Sequence, residues 1–167
     1  MVRYALRSCI ERPDGTLRSV HTDSFTWPRE GKVTAPDWNS ETGCGHGLHG
    51  FLDGCGDGNL ARFTTADVKA VWLVLAVSSA HIDLVGKIKF ESCEVVFAGA
   101  LLDAISALET LSPESKNLPV IGAQRAAGYA GTATAGDRGT ATAGYAGTAT
   151  AGYAGTATAG DRGTATA

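Results

Sequence analysis

The chain has 167 residues, a formal charge of −3 at pH 7 and a sequence pI near 5.7. This mild acidity argues against nucleic acid as the main partner, because a nucleic-acid-binding protein presents a basic face. The N-terminus has no signal-peptide core, and the longest apolar run, Ala70–Val77, is too short to span a bilayer. We therefore expect a soluble protein without a membrane span, cytoplasmic by default.

The first forty residues predict short antiparallel strands. Residues 1–10 alternate in the manner of a strand, and the turn sequence Arg-Pro-Asp-Gly at 12–15 predicts a hairpin that returns over residues 16–21. Residues 25–28 and 33–38 are short extended pieces. Each contains a proline, which excludes it from the centre of a sheet.

The middle of the chain mixes a loop with the strongest strand. Residues 41–59 are so rich in glycine that we expect an irregular loop there. Residues 61–70 predict a short helix with a threonine N-cap. Residues 71–77 are apolar on both faces and predict the central strand, with Trp72 as a core anchor.

Two further strands, at 85–90 and 93–97, are expected around a Glu91-Ser92 turn. A helix over residues 100–111 is predicted by leucine and isoleucine at helical spacing, and Pro113 ends it. The apolar stripe consists of Leu101, Leu102, Ile105, Leu108 and Leu111. Residues 1–112 are thus predicted to be a small α+β domain, which we call the head. Residues 113–127 are expected to be a linker that ends in a degenerate first strand.

Residues 128–167 are five copies of an eight-residue unit, either GYAGTATA or GDRGTATA, which we number octads 1 to 5. We call these residues the array. Threonine favours strands, and alanine is too small to fill a wide core. The array therefore predicts an all-β solenoid of tandem repeats with two octads, about sixteen residues, in each coil. The residues expected to fill its interior are Ala133, Ala141, Ala149, Ala157 and Ala165.

Two details of the coil also follow from the octad sequence. Glycines such as Gly128 and Gly131 are expected at the corners with positive φ, which glycine adopts readily. The pairs Asp137-Arg138 and Asp161-Arg162 are expected to form ion pairs between coils.

The array resembles the central repeats of bacterial ice-nucleation proteins, through the unit A-G-Y-x-(G/S)-T-x-T at residues 127–134, 143–150 and 151–158. The resemblance implies a β-solenoid whose outward Thr-x-Thr rows order water and whose tyrosines mediate dimer contacts. It covers the array alone, which is far shorter than the arrays of that family. The candidate water- or ice-facing residues are Thr132, Thr134, Thr140, Thr142, Thr148, Thr150, Thr156, Thr158, Thr164 and Thr166.

Residues 2 to about 99 resemble small domains of unknown function from actinobacteria and their phages, which are fused to similar octad arrays. That resemblance implies an architecture and no activity. It depends on the sequence at residues 12–15, 35–38, 44–50, 86–90 and 94–96.

The glycine-rich segment contains candidate ligands and acid–base groups. Cys44, His46, His49 and Cys55 are four ligands of the kind zinc prefers, although their spacing matches no common zinc motif. The two histidines are also candidates for an acid–base site, together with Asp53, Asp57 and Glu94. A packed loop without chemistry is the simpler interpretation, and no cofactor is implied. Without a secretory signal, the four cysteines are expected to be reduced.

These observations predict a non-enzymatic structural or surface-presenting protein, in which the head caps a threonine-faced array that self-associates. A water- or ice-interacting protein is the first alternative, and an enzyme or metal protein that uses residues 44–57 is the second. A homo-oligomer is expected, formed through the tyrosines or the open end of the array. The candidate self-association residues are Tyr129, Tyr145, Tyr153, Gly163, Thr164, Ala165 and Thr166.

Overall fold

A computed structural model describes residues 2–19 and 25–167. Met1 and residues 20–24, which include the end of the predicted second strand, lie outside the described residues. Nine strands of the described chain form one antiparallel sheet in the head. They are β1 (Arg3–Glu11), β2 (Leu17–Ser19), β3 (Thr26–Trp27), β4 (Gly31–Thr34), β5 (Leu48–Leu52), β6 (Ala70–Val77), β7 (His81–Asp83), β8 (Ile88–Phe90) and β9 (Ser92–Gly99).

The order of strands in this sheet is β4-β9-β6-β1-β5-β8-β7, and β2 and β3 extend it from the far end of β1. β6 lies between β1 and β9, as its apolar sequence predicts, and every residue of β6 except Ala76 is buried. β1 pairs with β6 from Arg3↔Val77 to Ile10↔Ala70. Because both faces of β6 are covered, the sheet separates two hydrophobic clusters.

The sheet is strongly curved. Only Glu91 separates β8 from β9, yet the two strands pair with different neighbours on opposite sides of β1. The first cluster fills the concave face, where Trp27, Leu73 and Phe90 are almost fully buried. The expected strands are present, but they do not form the hairpin that their closeness in sequence suggests.

Helix α1 (Leu101–Leu111) covers the other face of the sheet and confirms the predicted helix. Ile105 and Leu108 pack there in the second cluster with Leu6 and Trp72. The predicted apolar stripe is broader than the buried face, because Leu102 and Leu111 are exposed. None of the described helices has the length and apolar character needed to cross a membrane.

The predicted helix over residues 61–70 is wrong. The segment is extended and irregular, and the hydroxyl of Thr64 bonds to the backbone N–H of Ala70 at 3.2 Å. Side-chain bonds of this kind compete with helical ones, and β-branched threonines do not favour a helix. Phe63 packs its ring against Trp72, 5.4 Å between centroids.

The prediction that residues 41–59 contain no regular element is also wrong, because β5 lies within them. β5 pairs with β1 and with β8. A Cβ atom on Gly50 would lie 3.1 Å from the Leu6 carbonyl oxygen, so glycine permits the close approach of β5 to β1. A short 3₁₀ turn, Gly58–Leu60, follows β5.

Residues 113–123 connect the head to the array. A 3₁₀ turn covers Pro113–Asn117, and Val120, Ile121 and Ala123 are fully buried in the second cluster. The backbone N–H of Ile121 donates to the Gly54 carbonyl at 2.9 Å. The segment is therefore packed against the head rather than extended through solvent.

The rest of the chain forms two parallel three-stranded sheets, β10-β12-β14 and β11-β13-β15. The strands are β10 (Gln124–Ala127), β11 (Thr132–Thr134), β12 (Thr140–Ala143), β13 (Thr148–Thr150), β14 (Thr156–Ala159) and β15 (Thr164–Thr166). Consecutive strands belong to different sheets, and Thr132 pairs with Thr148, which pairs with Thr164. The predicted spacing of sixteen residues between paired strands is confirmed.

Alanine alone forms the core between these sheets. Ala133, Ala141 and Ala149 are buried as predicted, and so are the alanines that end octads 1 to 3, at 135, 143 and 151. Ala157 is partly buried, whereas Ala165 is exposed, contrary to prediction. No strand in the described residues covers the far side of β15.

The corner conformation differs from the prediction. Positive φ occurs at the third residue of every octad, with values from 51° at Ala130 to 60° at Arg162, and not at the neighbouring glycines. The octad glycines after Gly128 are required by close approach to neighbouring residues instead, whereas a Cβ atom on Gly128 would meet nothing within 4 Å. A Cβ atom on Gly144 would lie 2.9 Å from the carbonyl carbon of Gly128 in the preceding turn.

Candidate functional site

The threonines of the array form rows on the outside of both sheets. Across β11, β13 and β15 the rows are Thr132, Thr148, Thr164 and Thr134, Thr150, Thr166. On the other sheet the rows are shorter, because β10 places Gln124 and Ala126 beside Thr140 and Thr142. Thr134 and Thr150 are half-buried, and the other candidate threonines are exposed. Neighbouring strands lie about 4.8 Å apart, which sets the spacing within each row.

Tyr129 and Tyr145 form a pair, whereas Tyr153 is separate. The rings of Tyr129 and Tyr145 stack with 5.7 Å between centroids and 8° between planes. The Arg162 guanidinium lies over Tyr145, 5.8 Å from the ring centroid. Tyr153 belongs to the opposite edge, since its turn leads from β13 back to β14. Tyr129 is 78% exposed and Tyr153 is 64% exposed.

The last two strands present free edges. In the described residues β14 pairs only with β12, and β15 pairs only with β13. Gly163 is half-buried, and Thr164, Ala165 and Thr166 are all exposed. Unpaired N–H and C=O groups of this kind can accept a further strand.

Asp137 and Arg138 contact the head, and Asp137 also bonds to the next coil. The Asp137 carboxylate accepts hydrogen bonds from the backbone N–H of Gly58, at 2.8 Å, and of Tyr153, at 2.9 Å. The Arg138 guanidinium lies 5.0 Å from the ring centroid of Phe63. The predicted ion pairs between coils do not form, because Asp137 and Asp161 lie at opposite edges of the array.

The glycine-rich segment borders a pocket of about 680 Å³, at the place where β2 and β5 separate along β1. Arg7 lies across it, over the Trp27 ring, and donates to the His49 carbonyl at 2.6 Å. Among the described residues, three buried polar atoms in this region have no hydrogen-bond partner, namely Arg7 Nε, Trp27 Nε1 and His49 Nε2. The charged side chains Arg7, Lys87 and Asp37 all line the pocket.

The four candidate metal ligands do not converge. Cys44, His46 and His49 border the pocket, but Cys55 packs against the second cluster on the other face of the sheet. Burial, together with the charge of Asp53, raises the pKa of the Cys55 thiol to about 11. No group of three His, Cys, Asp or Glu side chains in the described residues is arranged to hold a metal ion. All four cysteines are free thiols.

Cys44 and His46 have separate partners, whereas the buried His49 Nε2 has no hydrogen-bond partner. The Lys87 ammonium lies 3.0 Å from Cys44 Sγ, and this bond lowers the pKa of the thiol. His46 Nδ1 lies 3.6 Å from Asp37 Oδ2. Burial, and then the charges of Lys87 and Arg7, lower the pKa of His49 to about 4.

The candidate acid–base residues are dispersed as well. Asp53 forms an ion pair with Arg3, and Asp57 accepts the backbone N–H of Asn59 at 2.9 Å. Glu94 is exposed on β9, away from the histidines. The structure does not assemble these residues into one site.

A buried lysine organises the same loop. Lys89 is fully buried in β8, and its ammonium donates to Asn39 Oδ1 and to the Gly43 carbonyl, both at 3.2 Å. It also donates to the Glu41 carbonyl at 2.5 Å. Sequence patterns give no indication of this role, because a lysine in a short strand is usually exposed.

A comparison with protein-family models finds none that matches the chain, and the searches of curated proteins and of solved structures find no match either.

Proposed function

We propose that this is a non-enzymatic structural or surface-presenting protein, in which residues 124–167 form a thin β-solenoid that self-associates and the head closes one end of it. The observation that supports self-association most strongly is the exposed, stacked pair Tyr129 and Tyr145. Large exposed aromatic side chains are typical of interaction surfaces, where they bury much apolar area at little cost in side-chain entropy.

A solenoid accounts for three separate features of the array. Successive strands alternate between two parallel sheets, the register repeats every sixteen residues, and small alanines fill the narrow space between the sheets. Among the described residues, β14 and β15 each leave one backbone edge unpaired, so a second copy can continue either sheet. The resemblance to ice-nucleation repeats supports the same interpretation.

Two copies can meet side by side through their tyrosine pairs. A two-fold arrangement is self-complementary, since each pair contacts the equivalent pair of the other copy. Arg162 lies beside the stack and adds a cation–π contact that is available on both copies.

Sedimentation velocity over a wide concentration range tests this proposal. We expect the wild-type chain to form dimers, the double variant Tyr129→Ser/Tyr145→Ser to be monomeric, and Tyr153→Ser, the matched control, to dimerise normally. A wild-type chain that remains a strict monomer at high concentration contradicts self-association. Equal dimerisation of the double variant and the wild type excludes the tyrosine pair as the interface.

A water- or ice-interacting protein is a second candidate, supported by the regular outward rows of threonine. Hydroxyl groups at strand spacing on a flat surface provide an ordered lattice of hydrogen-bonding groups. Replacing Thr132, Thr148 and Thr164 by lysine removes one row, and ice-growth inhibition is the measurement. Unchanged ice growth in the triple variant contradicts this candidate.

A further inference from the structure

The octads vary only at their second and third positions, which are either Tyr-Ala or Asp-Arg. The Asp-Arg form occurs in octads 2 and 5. Octad 2 is the one that meets the head, and its two variable side chains are both used there.

Asp137 joins two parts of the chain that are distant in sequence. One carboxylate oxygen accepts the N–H of Gly58, 79 residues away, and the other accepts the N–H of Tyr153 in the next coil. Hydrogen bonds to a carboxylate are stronger than those between neutral groups. A tyrosine at this position has no acceptor that reaches either amide at such short range, because its only oxygen lies at the far end of the ring.

Gly58 provides a second, independent observation. A Cβ atom there would lie 2.6 Å from the Cβ of Asp137, so any side chain at position 58 would separate the head from octad 2. The glycine is not required by its own backbone angle, since its φ is not positive. It is required by the closeness of the aspartate.

Arg138 extends the contact to the core of the head. Its guanidinium lies over the ring of Phe63, which in turn packs against Trp72 in the central strand. A cation held over an aromatic face is attracted by the negative potential of the ring. Backbone bonds complete the junction, because Gly122 donates to the Asp137 carbonyl at 2.8 Å and Gly136 donates to the Val120 carbonyl at 3.0 Å.

We propose that Asp137 and Arg138 form a docking pair that holds the head, through Gly58 and Phe63, against the first coil of the array. At octad 2 the Asp-Arg dipeptide binds a turn that presents a backbone N–H beside an aromatic ring. This inference rests on the head-and-solenoid arrangement of the proposed function but not on self-association.

Octad 5 is a natural control. Asp161 and Arg162 have the same sequence but lie at the opposite edge, where Arg162 contacts Tyr145 and the head does not reach. Identical substitutions in the two octads change the composition of the chain in the same way. Only those in octad 2 remove the docking pair.

The experiment compares Asp137→Tyr/Arg138→Ala with Asp161→Tyr/Arg162→Ala by hydrogen exchange of the full chain. A hydrogen bond to a charged group contributes about 1.5–3 kcal/mol, so we expect exchange at Gly58 and Tyr153 to be roughly tenfold faster or more in the octad 2 variant. We expect no change at these amides in the octad 5 variant. Equal protection of residues 57–63 in both variants would overturn the proposal.

Two milder variants cover the case in which the octad 2 variant does not fold. Asp137→Asn keeps the size of the side chain but loses an acceptor oxygen, and Gly58→Ala introduces the clash from the side of the head. Each is expected to accelerate exchange at residues 57–63 while α1 stays protected. If residues 57–63 keep wild-type protection in both variants, the docking pair is rejected. Sedimentation reports self-association separately, so a failure of one proposal is distinguishable from a failure of the other.

Discussion

The ammonium of Lys89 lies over the indole of Trp38, 5.5 Å from the ring centroid. The ammonium donates hydrogen bonds to three oxygen atoms between β4 and β5, from Asn39, Glu41 and Gly43. A buried ammonium requires such partners, because desolvation of an unpaired charge is very unfavourable. The contact therefore fixes the path of the glycine-rich loop over the end of the sheet.

We expect Lys89→Met to lower the free energy of unfolding by about 3 kcal/mol, since several charge-assisted hydrogen bonds are lost and the loop carbonyls lose their partner. Urea denaturation measures the change. Lys116→Met, an exposed lysine in the turn after α1, is the control and should have almost no effect. Equal stability of the two variants would show that Lys89 does not organise the loop.

Cys44 is expected to be the cysteine that reacts fastest with iodoacetamide. It is exposed, and the bond from Lys87 lowers the pKa of its thiol, so more of it is the reactive thiolate at neutral pH. Burial raises the pKa of Cys93 to about 12 and also raises that of Cys9, which makes both internal controls. Mass spectrometry identifies the labelled residue.

The Lys87→Met variant tests the cause of this reactivity. We expect slower labelling of Cys44 at pH 7 and a midpoint of the rate–pH curve at higher pH. Lys32→Met, an exposed lysine on β4, should leave the curve unchanged. An unaltered curve in Lys87→Met would assign the reactivity to exposure alone.

His49 is expected to make the protein less stable in mild acid. Its pKa is lowered from the ordinary 6.5 to about 4, so the unfolded chain binds a proton at a pH where the folded chain does not. The contribution of His49 to the free energy of unfolding should thus be constant above pH 6.5. It should decrease as the pH falls from 6.5 towards 4. Urea denaturation at several pH values measures the slope, and His49→Asn should remove part of it. A slope identical in variant and wild type contradicts the lowered pKa.

The alanine core predicts a strong position dependence for one substitution. Ala149→Leu adds a large side chain between the two parallel sheets and should cost about 1–3 kcal/mol, or prevent pairing of the sheets. Ala165→Leu is the matched control, because it occupies the same place in its octad but is exposed. Thermal unfolding compares the two. Similar melting temperatures would show that the space between the sheets is wider than the alanines require.

The features that the sequence predicts correctly are those with a local or periodic cause. The apolar run of β6, the leucine spacing of α1 and the fixed period of the array each determine their own structure. β5 was not predictable in this way, because the glycines of residues 41–59 argue against a strand, although Phe51 favours one. Pairing with β1 and β8 holds it in place.

The contact between the head and octad 2 was not predictable from the sequence for a related reason. Nothing near Asp137 in the sequence indicates that its carboxylate will meet Gly58, and the identical dipeptide at Asp161 and Arg162 has no such contact. The predicted position of positive φ was also wrong, because the octad glycines after Gly128 are needed for close approach to neighbouring residues and none of them has a positive φ. Only the assembled coils distinguish these two requirements.

The sixteen-residue register implies a rule of parity for the number of octads. Octads 1, 3 and 5 turn at one edge and octads 2 and 4 turn at the other, so deletion of a single unit transfers every later unit to the opposite edge. Loss of octad 3, for example, would place Tyr153 above Tyr129 and bring Asp161 to the edge occupied by Asp137. An even number of octads must therefore be gained or lost if the later octads are to keep their edge of the array.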